Sequence, residues 1–205
     1  WHFPRTRLEA ELVRDSALHM SGLLSGKLGG PSVFPEQPKS VTAEGAYGAL
    51  GWNVSPGEDR YRRGLYTFAK RTAPFAMFAT FDGPSGEACI ARREVTNTPL
   101  QALTMLNEPT LLEAAQALGA KAATSGRGSA ETVTDIFRRC LTRPPTEQEL
   151  SLLVNYYETQ KSRLAAKELD AEKIAGSGDG SAIDRAAWTL TARAILNLDE
   201  TITKE

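Results

Sequence analysis

The sequence predicts a mainly α fold: an irregular helical domain of about six helices, with a long Gly/Pro-rich loop and at most one or two short strands. Three observations carry this expectation. Apolar residues recur at helical spacing near the start of the chain and through most of its second half. Two segments, Thr98-Pro99-Leu100-Gln101 and Thr146-Glu147-Gln148-Glu149, have the form of capping boxes that open helices. Between the first helix and the first of these boxes the periodicity disappears and Gly and Pro accumulate.

The first helix is expected over residues 6–24, with Leu8, Leu12, Ser16/Ala17, Met20 and Leu23/Leu24 on its apolar stripe and Gly26 as its stop. Arg5, Arg7, Glu9, Glu11, Arg14 and Asp15 fall on its wet face. Residues 26–60 form a long irregular segment whose Phe34, Tyr47 and Trp52 are expected to pin it to the core. Residues 65–68 have β-propensity and read either as a short strand or as the start of a helix through Lys70. Residues 75–81 are aromatic and apolar without a clear period, and Asp82-Gly83-Pro84-Ser85-Gly86 is a turn by composition.

Thr98 caps a helix to Leu106, Asn107-Glu108-Pro109 interrupts it, and a second helix follows with Leu111, Leu112, Ala115, Leu118 and Ala122 inward. A helix with Val133, Ile136, Phe137 and Cys140 inward ends at Arg143-Pro144-Pro145. The second capping box opens a helix bearing Leu150, Leu153, Val154, Tyr157 and Leu164, with a charged tail at 167–173. After a Gly-rich break at 176–180, Ser181 caps a last helix with Ile183, Ala187, Leu190, Ala194 and Leu198 on one stripe and Trp188 and Ile195 beside it. The expected organisation is one domain over 1–205: an opening helix (1–25), a loop-rich signature region (26–97) and a helical region (98–205).

Hydrophobic residues make up 41% and charged residues 24%, which is a globular composition. Lys plus Arg total 24 against 25 Asp plus Glu, so the charge balance gives no case for nucleic acid or an anionic membrane. No apolar run approaches the ~20 residues of a membrane helix, so no membrane insertion is expected. The chain opens on Trp1 and its first Met is Met20, which reads as a piece of a longer protein. Any signal peptide would lie on the part that precedes it. Cys89 and Cys140 have no C-x-x-C or C-x-x-C-H spacing, and a disulfide between them is the minority reading.

The residues that could carry chemistry are few. The only histidines are His2 and His19, so no metal site is expected. Asp82 and Glu94, with Glu87 between them, are the carboxylates worth naming, because glycoside hydrolysis commonly uses such a pair. Arg92 and Arg93 lie beside Glu94, and an Arg neighbour holds a carboxylate ionised, which suits structural pairing better than a general acid. The basic groups Arg60/Arg62/Arg63, Lys70/Arg71 and Arg92/Arg93 could grip an anion. The favoured alternative is that they neutralise Asp82, Glu87 and Glu94 and donate to buried loop carbonyls. Lys70, Arg71, Arg92, Arg93 and Asn97 are the candidate binding residues, and Asp82 and Glu94 the candidate catalytic ones.

Residues 62–107 carry the strings RRGLYTFAKRTAP and TFDGPSGEACIARREVTNTPLQALTMLN. In these the chain resembles the C-terminal domain of large planctomycete and related bacterial proteins, the family called domain of unknown function 1553. The likeness extends to RLEAELVRDSALHMSGLLSGKLGGPSVFP at the start, CLTRPPTEQELSLLVNYYE later, and AAWTLTARAILNLDE near the end, where Leu198-Asp199-Glu200-Thr201 replaces an Asn-Glu-Phe type close. The resemblance implies an exported, periplasmic or cell-surface multidomain protein associated with cytochrome c domains, serving polysaccharide utilisation or redox metabolism. It implies no cofactor in this fragment, with haem c a candidate on the upstream part of the full protein. The partners it implies are the upstream domains of the same protein and polysaccharide. The alternative expectation is a hydrolytic domain acting on acidic or sulfated glycans through Asp82 and Glu94.

Overall fold

The computed structural model describes residues 5–38, 51–71 and 73–204. Among these residues there are eight α-helices: α1 (Ala10–Ser21), α2 (Ala76–Thr80), α3 (Pro99–Asn107), α4 (Pro109–Ala123), α5 (Ser129–Leu141), α6 (Glu147–Ala165), α7 (Ala171–Ala175) and α8 (Ala182–Leu196). Six are long and correspond to the six that periodicity and capping predict. The extra two, α2 and α7, are single turns. The only sheet among the described residues pairs β1 (Thr6–Arg7) antiparallel with β2 (Thr203–Lys204), in the register Thr6↔Lys204 and Arg7↔Thr203. The fold is mainly α, as the sequence predicts. No helix among the described residues is long and apolar enough to cross a membrane.

Contacts group the chain into two compact units, one comprising Trp1–His19, Leu23–Leu111 and Ile202–Glu205, the other Met20–Gly22 and Leu112–Thr201. In the first, β1 takes residues that periodicity assigns to the opening helix. Helix α1 also turns a different face inward than the one predicted. Leu12 is 43% exposed, whereas Ala10, Val13, Ala17 and Leu18 are buried. Arg14 and Asp15, expected on the wet face, are 0% and 8% exposed. Buried polar groups of this kind need partners, and they have them. Arg14 donates to the carbonyls of Arg62 (2.7 Å) and Arg60 (2.5 Å), and Asp15 accepts from Gly64 N–H (2.6 Å). The helix stops at Ser21 rather than near Gly26, because Gly22 takes a left-handed φ of 75°.

The loop-rich region is held by sparse pairing. Ser25 bridges Arg62 and Val33 bridges Thr67, both in parallel sense. Residues 64–66 form a 3₁₀ turn, so 65–68 are neither a strand nor a helix running through Lys70. The aromatic pins act as expected for Phe34 and Trp52, while Tyr47 lies outside the described residues. Phe34 stacks on Phe68 at 4.9 Å, Trp52 stacks on Phe75 at 6.0 Å, and Trp52 Nε1 donates to the Pro35 carbonyl (2.6 Å).

Thr98 and Gln101 form the predicted capping box of α3. At its far end Glu108, 8% exposed, accepts from Leu111 N–H (2.9 Å) at the start of α4. Burial pushes the Glu108 carboxyl up to about 7, against the opposing pull of the Leu111 and Thr110 groups and the Arg14 charge. The folded state therefore binds this proton more tightly than the unfolded chain, whose carboxyl has its ordinary value of 4.5. That stabilisation is present below the unfolded value and is lost as pH rises through about 7. Urea unfolding at about pH 5 and about pH 8 should show a loss on the order of 2–3 kcal/mol from this group. Glu108→Gln, which keeps an acceptor for Leu111, should remove that part of the slope. Parallel pH profiles for the two proteins would refute it.

In the second unit the predicted inward residues of α5 (Val133, Ile136, Phe137, Cys140) are buried. Both cysteines are free, Cys89 exposed and Cys140 buried, and burial pushes the Cys140 thiol up to about 12. The α6 capping box forms as predicted, and the Arg143 fork ties its Glu149 (2.8 Å) to Glu200 (2.7 Å). Tyr157 of α6 stacks on Trp188 of α8 at 3.8 Å. Of the predicted α8 stripe only Ala187 is buried, Ile183, Leu190 and Ala194 being half-buried and Leu198 exposed, whereas Ala186, Trp188, Thr189, Thr191, Ala192, Ile195 and Leu196 are all inside. A helix surrounded on most sides has no single apolar stripe for periodicity to find.

Candidate functional site

The first unit contains the whole signature segment, and its organising point is Asp82. This residue sits at φ 60°, one of the few non-glycine positions in the left-handed region. Its carboxylate closes a loop: Thr96 N–H donates to Oδ2 (2.8 Å) and Thr96 Oγ1–H to the carboxylate, at 2.8 Å from Oδ1. Gln101, almost wholly buried, backs this neck by donating to the Thr80 carbonyl (3.0 Å) and to Thr96 Oγ1 (3.1 Å), while its Oε1 caps Thr98 N–H. The next residue must be small, since a Cβ on Gly83 would lie 2.7 Å from the Phe78 carbonyl oxygen.

Beside this neck lies a cleft of about 710 Å³. Helix α1 contributes Glu11 and Asp15 to it, and the residue just before the helix contributes Glu9. The segment before α2 contributes Arg63, Gly64, Phe68, Lys70 and Arg71, α2 and its approach contribute Phe75 and Phe78, and the loop after Asp82 contributes Pro84, Ser85, Gly86 and Arg93. Gly64 allows the close approach of these walls: a Cβ there would lie 3.0 Å from Glu11 Cβ and 3.1 Å from Phe78 Cζ. The charges are unevenly committed. Arg93 grips Glu11 with both ends of its fork, Nη1 to Oε2 at 2.6 Å and Nη2 to Oε1 at 3.1 Å, and lies 3.5 Å from Glu9. Burial, the largest single influence, would raise the Glu11 carboxyl, but the Arg93 hydrogen bonds, the backbone N–H of Glu11 and the Arg93 charge together hold the group below its ordinary value. The same bonds push the Arg93 guanidinium up. Burial raises the Asp15 carboxyl above the usual range, opposed by Gly64 N–H and by Arg14 and Arg63.

Of the residues singled out by sequence, the cleft brings together Lys70, Arg71 and Arg93. Lys70 is half-buried and Arg71 exposed, and among the described residues neither has an acidic partner. The Arg71 stem passes 3.7 Å from the position a Cβ on Gly86 would take. Asp82, Glu94, Arg92 and Asn97 do not line the cleft. Glu94, Arg92 and Asn97 are exposed, and Asp82 has both oxygens engaged by Thr96. The expected neutralisation of Asp82, Glu87 and Glu94 by the basic groups is corrected: among the described residues no ion pair joins them, Arg93 pairs with Glu11, and Asp82 takes neutral donors instead. The expectation that arginines serve loop carbonyls holds for Arg62, which donates to Pro31 (3.1 Å), Lys27 and Gly29. Glu11, Asp15 and Gly64 are the cleft residues that sequence reasoning missed. The signal for the first two was an acidic row on α1, which looks the same whether it faces water or a cleft. No group of three His, Cys, Asp or Glu among the described residues is placed to hold a metal ion.

The family described as PSD1, protein of unknown function (DUF1553), matches residues 1–157, and the chain belongs to it. No curated protein and no solved structure matches the chain.

Proposed function

We propose that this DUF1553-family chain is the C-terminal structural and binding module of an exported bacterial multidomain protein associated with cytochrome c domains, and that it serves polysaccharide utilisation or redox metabolism. Its binding surface is the cleft between α1 and the signature segment. One observation carries the reading: Lys70 and Arg71, with no acidic partner among the described residues, share a 710 Å³ cleft with the half-buried rings of Phe68 and Phe78. Aromatic faces suit sugar rings, and uncommitted cations suit the acidic groups that many polysaccharides bear. The upstream domains of the same protein are its covalent partners. This chain's own residues do not fit a haem c site, because Cys89 and Cys140 lack C-x-x-C-H spacing and Cys140 is buried. The hydrolytic alternative through Asp82 and Glu94 has no geometry in its favour, since neither lines the cleft.

The test is affinity electrophoresis of the chain through gels containing polysaccharides, wild type against Lys70→Ala/Arg71→Ala. The double variant should bind about 10-fold or more weakly. Equal retardation of the two proteins, or a wild type that no polysaccharide retards, would overturn the proposal.

A further inference from the structure

Residues 83–95 have the form of an Ω-loop. Their span falls within the ~6–16 residues of such loops, and their ends are tied together by the Thr96–Asp82 hydrogen bonds. Beyond that neck the segment is weakly held. Among the described residues, no backbone–backbone hydrogen bond joins 84–95 to the rest of the chain. Residues 84–92 are all exposed, Ile90 at 54%. The one strong side-chain tether is the Arg93 fork on Glu11, with Glu9 beside it. Both members are partly exposed, with side-chain exposures of 29% and 26%. A segment with few buried contacts and one solvent-reachable ion pair opens at low cost. The tether is also placed where it matters, because Arg93, Pro84, Ser85 and Gly86 of the loop, Glu11 of α1 and Glu9 just before it all line the cleft.

We propose that residues 83–95 are a hinged cover of the cleft, latched by the Arg93–Glu11 pair, and that an anionic group on the bound glycan releases the latch by taking Glu11's place on Arg93. The inference rests on the binding reading above and deepens it. A planar guanidinium fork fits a carboxylate or a sulfate as well as it fits Glu11. Lys70 and Arg71 in the same cleft hold further anionic groups of the chain, so a polyanion competes where a single free anion does not. Glu11 opposes the ligand twice, by occupying Arg93 and by adding negative charge to the wall.

Two variants of the chain separate the parts of this proposal. Loop opening is read by hydrogen exchange with mass spectrometry on peptides covering 84–95, without ligand. Ligand binding is read by calorimetry with polygalacturonate (carboxylate), dextran sulfate (sulfate) and neutral dextran. Unchanged exchange in α1 shows that each variant is folded. Glu11→Gln should speed exchange of the loop about 3- to 10-fold and tighten polyanion binding by a similar factor. Arg93→Ala should speed the loop equally but weaken polyanion binding, and neutral dextran should respond to neither. Loop exchange unchanged in both variants overturns the latch. Polyanion binding by Arg93→Ala equal to wild type, or neutral dextran binding as well as the polyanions, overturns the exchange of partners. A wild type that binds none of the three, with the loop still accelerated by Glu11→Gln, overturns the ligand release and the binding reading together, and so is told apart from failure of the latch alone.

Discussion

Replacing Arg62 with methionine is expected to destabilise the protein by about 3–5 kcal/mol, seen as a fall in the urea midpoint followed by circular dichroism. Arg62 is 1% exposed, yet it sits in a region almost without regular structure. It is the donor that makes that region compact. Its fork serves the carbonyls of Pro31, Lys27 and Gly29, and its guanidinium plane lies 3.8 Å from the centre of the Tyr66 ring. Methionine matches much of the apolar stem but donates nothing. The carbonyls of Lys27, Gly29 and Pro31, all on exposed residues, would lose a charged donor, each such bond contributing roughly 1.5–3 kcal/mol where water does not take its place. Arg62→Lys keeps the charge but has no planar fork, and should recover less than half of the loss. Near-equal stability of Arg62→Lys and wild type would show that charge, not the fork, is what the loop needs. A loss under about 1 kcal/mol for Arg62→Met would show that water can replace it.

The same residues explain what the sequence could and could not reveal. The Thr98–Gln101 and Thr146–Glu149 boxes were legible because capping is local: every donor and acceptor lies within four residues. That Arg side chains would serve loop carbonyls was legible as chemistry, from the excess of acceptors in a segment without periodicity. Which arginine serves which carbonyl was not. Arg14 reaches Arg60 and Arg62 across more than 40 residues of chain, and Arg93 reaches Glu11 across more than 80. No spacing rule spans such distances, so polarity alone puts Arg14 and Asp15 on the wet face. The cleft suffered the same way. Lys70, Arg71 and Arg93 were visible as cations, but the opposite wall on α1 exists only after folding. Asp82 was visible as a turn carboxylate, and its left-handed backbone and Thr96 partner turn it from a catalytic candidate into the tie at the neck of a loop.

Gly119→Ala in α4 should cost about 2–4 kcal/mol, even though alanine is the better helix former by about 1 kcal/mol. The reason lies in the second unit, where α4 crosses α8 at close range. A Cβ at position 119 would meet Thr189 Oγ1 at 2.5 Å, Thr189 N at 2.7 Å and the Arg185 carbonyl oxygen at 3.0 Å. Two of these three are backbone atoms of α8, so no rotamer change relieves them, and the helices must move apart. Thr189 and its neighbours Ala186, Ala187, Trp188 and Thr191 are buried, so that movement opens space in the core of the unit. Gly126→Ala is the matched control. It meets nothing within 4 Å but has a left-handed φ of 67°, so its cost is the ~1–2 kcal/mol of backbone strain alone. The double variant Gly119→Ala/Thr189→Ala separates the causes further. Removing the hydroxyl relieves the shortest contact and leaves the two backbone contacts in place, so only part of the lost stability should return. Full recovery would mean that the hydroxyl alone dictates glycine at 119, and that the two helix backbones have room to spare.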